Sequence, residues 1–270
     1  MKRFNFGEFR SMSTTNPVLD TIEGNEALSV GEAITTKLKE MSLGIDAFNA
    51  KNFNKSIHTV KGIEIWKDLS VKGNYFGVSI KHIPSPVFFD LNKLPFTDYV
   101  ALVLKAVPIV KLVQSQADTL YRSLKTTAST GRVPFSIRNT DALVMINQTR
   151  DEFSKFISDS GVYTRAVSEM YPNFDIAYKT MVEFNKIVTT LQSRDIEVLA
   201  KSADQVIYIA NLLKAKLAES EIILKEQDRN VLNDAVNEMV DSITFAGMMV
   251  SQLNDLTRVL QLQCDEAKKL

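Results

Sequence analysis

At 270 residues, with 45% hydrophobic and 24% charged side chains, the chain has the composition of a folded protein able to bury a substantial core. Lysine plus arginine and aspartate plus glutamate both total 32, so no global field draws nucleic acid or acidic lipid to it. The balance shifts along the chain: residues 1–94 carry 12 basic and 10 acidic side chains, residues 95–194 carry 12 and 9, and residues 195–270 carry 8 and 13. That acidic last third argues against a BAR-type membrane dimer, which needs a basic stripe along its long helices.

The single cysteine, Cys264, cannot form an internal disulfide and falls on a predicted core seam, where it reads as a small apolar filler. Basic residues open the chain, but no apolar run of signal-peptide length follows them. The longest apolar run, Tyr99 to Leu104, stops at Lys105, far short of the roughly 20 residues that span a bilayer. The expected setting is soluble, in the reducing compartment of the producing cell or in a virion released from it, with no membrane partner.

Residues 1–29 are rich in Ser, Thr, Asn and Gly, lack periodicity and read as an extended or disordered arm. A first helix is predicted over 30–52, with Ile34, Leu38, Met41, Ile45 and Phe48 on one face, and this part of the bundle runs to residue 55. Residues 56–95 look strand-rich and Pro-punctuated. Phe76, Val78 and Ile80 alternate with Gly77, Ser79 and Lys81, which predicts a hairpin around Lys72-Gly73-Asn74. Pro84 and Pro86 end that segment, since neither can donate to a ladder.

Helices dominate residues 96–270. Val103, Val107, Val110, Ala117, Tyr121 and Leu124 share one face, and Pro108 should bend or interrupt their helix. Thr126 to Pro134 reads as a loop. A helix over 140–160 points Leu143, Ile146, Phe153 and Ile157 inward; another over 172–192 uses Phe174, Ala177, Met181, Phe184, Val188 and Leu191, with Pro172 in its first turn and a tight turn or kink at 193–195. Two ladders of alternating three and four close the chain. The first is Ile196, Leu199, Ala203, Val206, Ala210, Leu213, Leu217 and Leu224; the second is Leu232, Val236, Met239, Ile243, Ala246, Val250, Leu253, Thr257, Leu260 and Cys264. Their matched periods predict that these two helices pair antiparallel across a connection near 227–230, with Asp228 capping the second. The expected fold is mainly α: an elongated antiparallel bundle of about five to six long helices with a small β-hairpin-like insert.

Chemistry is sparse. His58 and His82 are the only histidines and could face each other across a hairpin, the bland alternative being two polar residues on a small sheet. No Gly-x-Ser-x-Gly elbow is present, and Ser129-Thr130-Gly131-Arg132 lacks the second glycine and the Lys-Ser/Thr ending of a phosphate loop. Asp151-Glu152 and Asp265-Glu266 are adjacent and so diverge around a helix. No catalytic residue, cofactor site or metal site is assigned. Between Asp118 and Asp141 there is no acid, while Arg122, Lys125, Arg132 and Arg138 all fall there. The helix dipole accounts for Arg122 and Lys125; an anionic partner is the sharper reading of all four. Phe4, Phe6 and Phe9 lie in the nonperiodic arm, as anchors for a neighbour's groove or as a flap over their own bundle.

The start Met1-Lys2-Arg3-Phe4-Asn5-Phe6, the Asn/Thr/Lys-rich arm and the motif-free helical body resemble uncharacterised virion structural proteins of large tailed phages. The resemblance implies a structural role, and cleavage after Glu in a small-x-Glu context. Gly24-Asn25-Glu26 fits that pattern, as does Gly62-Ile63-Glu64. The expected function is a non-enzymatic structural or assembly protein whose partners are other structural proteins or itself as an oligomer, with nucleic acid not favoured. The alternative is an adaptor that holds an anionic partner through the basic loop 122–138.

Overall fold

The computed structural model describes residues 59–73, 75–79, 81–85, 92, 94–156, 164–191 and 193–270. The arm, the helix expected over 30–52, Phe4, Phe6, Phe9 and His58 lie outside them.

The fold is mainly α. Its elements in chain order are α1 (Glu64–Lys72), α2 (Tyr75–Ser79), β1 (His82–Pro84), α3 (Phe96–Leu104), α4 (Ala106–Thr130), α5 (Thr140–Phe156), β2 (Thr164–Ala166), α6 (Val167–Met170), α7 (Phe174–Val188), α8 (Ser193–Ala218) and α9 (Glu226–Ala267).

The strand-rich reading of 56–95 is corrected. Trp66 and Leu69, three apart, are both buried on α1, and that helical spacing outweighs the alternation of Ile63 and Ile65. Gly73 is the left-handed C-cap of α1 (φ 72°) rather than a hairpin turn. Tyr75 then opens α2, its hydroxyl donating to the Tyr171 carbonyl and its ring edge-on to Phe174 at 4.9 Å. The small sheet joins segments distant in sequence: β1 and β2 are antiparallel, with His82 opposite Ala166, Ile83 opposite Arg165 and Pro84 opposite Thr164. Pro84 fits because the pair is three residues long and each strand is an edge.

Pro108 does interrupt its helix, one turn upstream. The ring removes the bond to the carbonyl of Leu104 and crowds it, so α3 ends there, Lys105 turns, and α4 begins at Ala106. The loop expected from Thr126 is instead the last turn of α4. Thr126, Thr127, Ser129 and Thr130 each fold a hydroxyl back onto the carbonyl four residues earlier, at 2.8–3.0 Å, so these side chains are satisfied within the helix. Gly131 (φ 65°) then stops it, its N–H donating to the Thr127 carbonyl. The helix expected over 172–192 is α7, and the cap is Asn173, whose side chain accepts from the Ile176 N–H at 2.8 Å; Pro172 lies just outside. Its six predicted core residues, Phe174 to Leu191, are all buried.

The last two helices carry the predicted ladders but do not form the predicted pair. α8 packs along α4, and α9 also packs on α4. Asp118 of α4 accepts from Ser202 of α8 at 3.0 Å, and a Cβ added at Gly131 would lie 3.4 Å from Ile222, so α4 and α8 run in the same direction. The reason is small side chains. Ala117 and Ala128 on α4 and Ala203 and Ala210 on α8 are buried and let these two backbones close together, leaving no need for an α8–α9 seam. α5 folds back antiparallel on α4, with Asn139 at Ser115 and Gln116 and Lys105 bonded to Glu152. The α8–α9 connection spans 219–225 and α9 has no side-chain cap; Asp228 is in its first turn, where a carboxylate favours the dipole.

α9 is 42 residues long, about 63 Å at 1.5 Å per residue. Its ladder is buried at every position except half-buried Thr257, and a second stripe (Ala235, Phe245, Met249, Leu256, Gln263, Ala267) is buried beside it. Two stripes are wider than a coiled-coil seam. They serve two clusters. The first half of α9 rests on α4; the second meets β1, α3 and α1, around an aromatic group in which Trp66 lies 5.7 Å from Tyr171 and Phe96 lies edge-on to Tyr171 at 5.4 Å. Here Gln263, fully buried, accepts from the Tyr171 hydroxyl and donates to the Pro84 carbonyl, both at 2.6 Å. Cys264 is buried 3.3 Å from the Met181 sulfur, and burial pushes its thiol up to about 11.

Leu253 is fully buried and Leu213 nearly so. Leu253→Ala and Leu213→Ala should each lower unfolding free energy by about 2–5 kcal/mol in urea titrations, the first by loosening α9 and the second by loosening α8 from α4. Unchanged midpoints in both would remove these ladders from the core.

Candidate functional site

The acid-free segment occupies the end of α4 and the connection to α5, and its four cations divide into two groups. Arg122 and Lys125 are exposed on the last turns of α4, and Arg132 is exposed just beyond Gly131. Lys125 lies over the Tyr121 ring, its ammonium 5.9 Å from the centroid. Arg138 is different. Its guanidinium is half-buried against α9, 3.1 Å from Glu238 and 3.6 Å from Asp234, so it anchors the connection rather than offering a charge to a partner. The expected contact surface is therefore Arg122, Lys125 and Arg132 without Arg138.

The rest of the connection is held as firmly. Asn139 donates its backbone N–H to Gln116 Oε1 at 2.7 Å and its side-chain amide to Ser115 Oγ at 2.9 Å, while its Oδ1 accepts from the Ala142 N–H at 3.2 Å. The Ser123 hydroxyl donates to the Ser136 carbonyl at 3.2 Å, and Ile137 is buried. Between these anchors Phe135 stands fully exposed, 107% of its reference area. Sequence reasoning passed over Phe135, although an aromatic after Pro134 and outside every ladder was a usable signal.

Beside Arg122 a shallow cleft of about 420 Å³ runs along α4 to the start of α8. Lys111, Gln114, Ser115, Asp118, Thr119 and Arg122 line it from α4, and Asp195 closes it from α8. Its two cations and two carboxylates balance, and Asp118 is already engaged by Ser202, so it favours no strongly charged ligand. The carboxylates and Lys111 gave no sequence signal, because their meeting depends on α8 lying on α4. His82 is exposed on β1. Among the described residues no group of three or more His, Cys, Asp or Glu side chains is placed to hold a metal ion.

Glu238 faces Arg138 from a half-buried position on α9. Burial raises its carboxyl pKa more strongly than Arg138 lowers it, and Asp234 and Asp241 add to the rise. A raised carboxyl contributes stability that is fully present below the unfolded value, near 4.3, and is lost as pH rises through the folded one. Glu238→Gln should therefore gain stability relative to the parent between pH 4 and pH 7, measured by urea unfolding at both. A difference that is flat or falls with pH would show that the Arg138 pair outweighs burial.

No family model matches this chain, and no curated protein or solved structure matches it either.

Proposed function

We propose that the protein is a non-enzymatic structural or assembly component that acts through its long helical surfaces and its N-terminal arm, of the kind that builds a phage virion. The observation that carries this reading is α9. A helix of about 63 Å buried on two stripes makes a stiff rod, and a rod of that length fixes the spacing between the surfaces at its two ends. Pocket chemistry needs converging groups; a spacer needs length and rigidity. The arm, with Phe4, Phe6 and Phe9, would supply the apolar anchors for a neighbouring subunit. Among the described residues no helix is long and apolar enough to cross a membrane. Mass spectrometry of the native assembly tests the proposal. Co-purification with capsid or tail proteins is expected; a free chain carrying a bound small molecule would overturn it.

The exposed trio Arg122, Lys125 and Arg132 supports a second reading, an adaptor for an anionic partner. Arg132→Glu should leave the circular dichroism spectrum intact and weaken binding to heparin at low salt by about two- to fivefold, with the difference vanishing at high salt. Equal affinity at low salt would show the trio to be simply solvated.

A further inference from the structure

The outer face of α8 carries a second seam that no other described residue covers. Lys201, Gln205, Tyr208, Leu212, Ala215 and Glu219 follow one another at steps of four, three, four, three and four, and all six are exposed. Tyr208 is 70% exposed and Leu212 38%. This is the spacing of a packing stripe, on the side of α8 opposite the Leu199, Ala203, Val206, Ala210 and Leu213 stripe that rests on α4. Lys201 and Glu219 make no ion pair with another described residue.

The order of residues along the seam selects its occupant. The six positions are symmetric about residue 210. Laid antiparallel on a copy of itself about a two-fold axis there, the seam sets Tyr208 against Leu212 of the second copy, Gln205 against Ala215 and Lys201 against Glu219. Each layer then occurs twice, as an isologous contact requires. The middle is apolar, with the two tyrosine hydroxyls able to reach water at the edge, and both ends close on opposite charges. A parallel pairing in register would instead set Lys201 against Lys201 and Glu219 against Glu219, which opposes it.

We propose that α8 is a homodimerisation surface, pairing antiparallel with α8 of a second copy of this chain about residue 210. The two α8 helices, each backed by α4, would complete a four-helix layer. The seam from 201 to 219 is about 28 Å long, so the contact lies at the small end of specific interfaces and its dimer forms reversibly with concentration. The proposal deepens the assembly reading by naming one partner surface. A chain that stays monomeric overturns this contact but not the wider role, which co-purification with particles reads separately.

Sedimentation velocity on the full chain over a range of concentrations tests it. A monomer–dimer equilibrium is expected, abolished by Tyr208→Glu with circular dichroism unchanged. Lys201→Glu should weaken the dimer about tenfold, because two ion pairs per dimer become repulsive, and Lys201→Glu combined with Glu219→Lys should restore it. Register is read by disulfide trapping: Tyr208→Cys mixed with Leu212→Cys should cross-link faster than either alone, with buried Cys264 silent. A monomer at the highest attainable concentration, a dimer indifferent to Tyr208→Glu, or fastest linkage of Tyr208→Cys to itself would each overturn the proposal.

Discussion

A helix of 42 residues with two apolar stripes needs partners that cover it along its length, and α9 draws them from α1, β1, α3, α4 and α5. Its first half lies on α4, with Arg138 and Glu238 pinning the α4–α5 connection to it. Its second half carries the aromatic cluster. Gln263 matters most there, because a buried amide left unpaired is costly and this one is paired on both sides: the Tyr171 hydroxyl donates to its oxygen and the Pro84 carbonyl accepts from its nitrogen. Those two bonds tie β1, the end of α6 and the end of α9 in one geometry that apolar packing alone would leave free to slide.

α4 is the second organising element, and its character is unusual for a central helix. It buries Gln116, Ser123 and Thr127 among its alanines and branched residues. The hydroxyls are harmless there because each is satisfied by a carbonyl of its own helix, Thr127 to Ser123 and Ser123 to Thr119, at 2.9 and 3.0 Å. Such side chains present a narrow, smooth surface. That surface admits α8 on one side while α5 and α9 take others.

Much of this was legible in the sequence. Period alone located the six core residues of α7, the Leu199, Ala203, Val206, Ala210 and Leu213 stripe of α8 and one of the two buried stripes of α9, because burial repeats with the helical turn on each dry face. The pairing of those helices was not legible. Matched ladders on α8 and α9 say that each needs a partner, and they do not name α4, whose fitness lies in Ala117, Ser123, Thr127 and Ala128. Residues 64–84 misled for a related reason. Gly73 and Gly77 and alternating branched residues favour strands locally, but Trp66 and Tyr75 gain more by reaching Tyr171 and Phe174 from short helices. At the candidate site the run of cations was plain, whereas Arg138's commitment to α9 required two segments about 100 residues apart to meet.

The bonds between Lys61 and Gln261 join residues 200 apart in the chain, and Gln263 reaches back almost as far to Pro84. On a ribosome adding about 5–20 residues per second, the segment around Trp66 waits about 10–40 s before its partners on α9 emerge. The α4–α5 hairpin needs no such wait, since its contacts are local. The nascent chain is thus born with its largest aromatic side chains uncovered, and the end of the molecule they complete is the last to close. Cellular losses of this protein would then be decided less by the finished structure's stability than by what shields Trp66 during that interval, and Tyr75 and Phe96 during the shorter one before Tyr171 and Phe174 emerge.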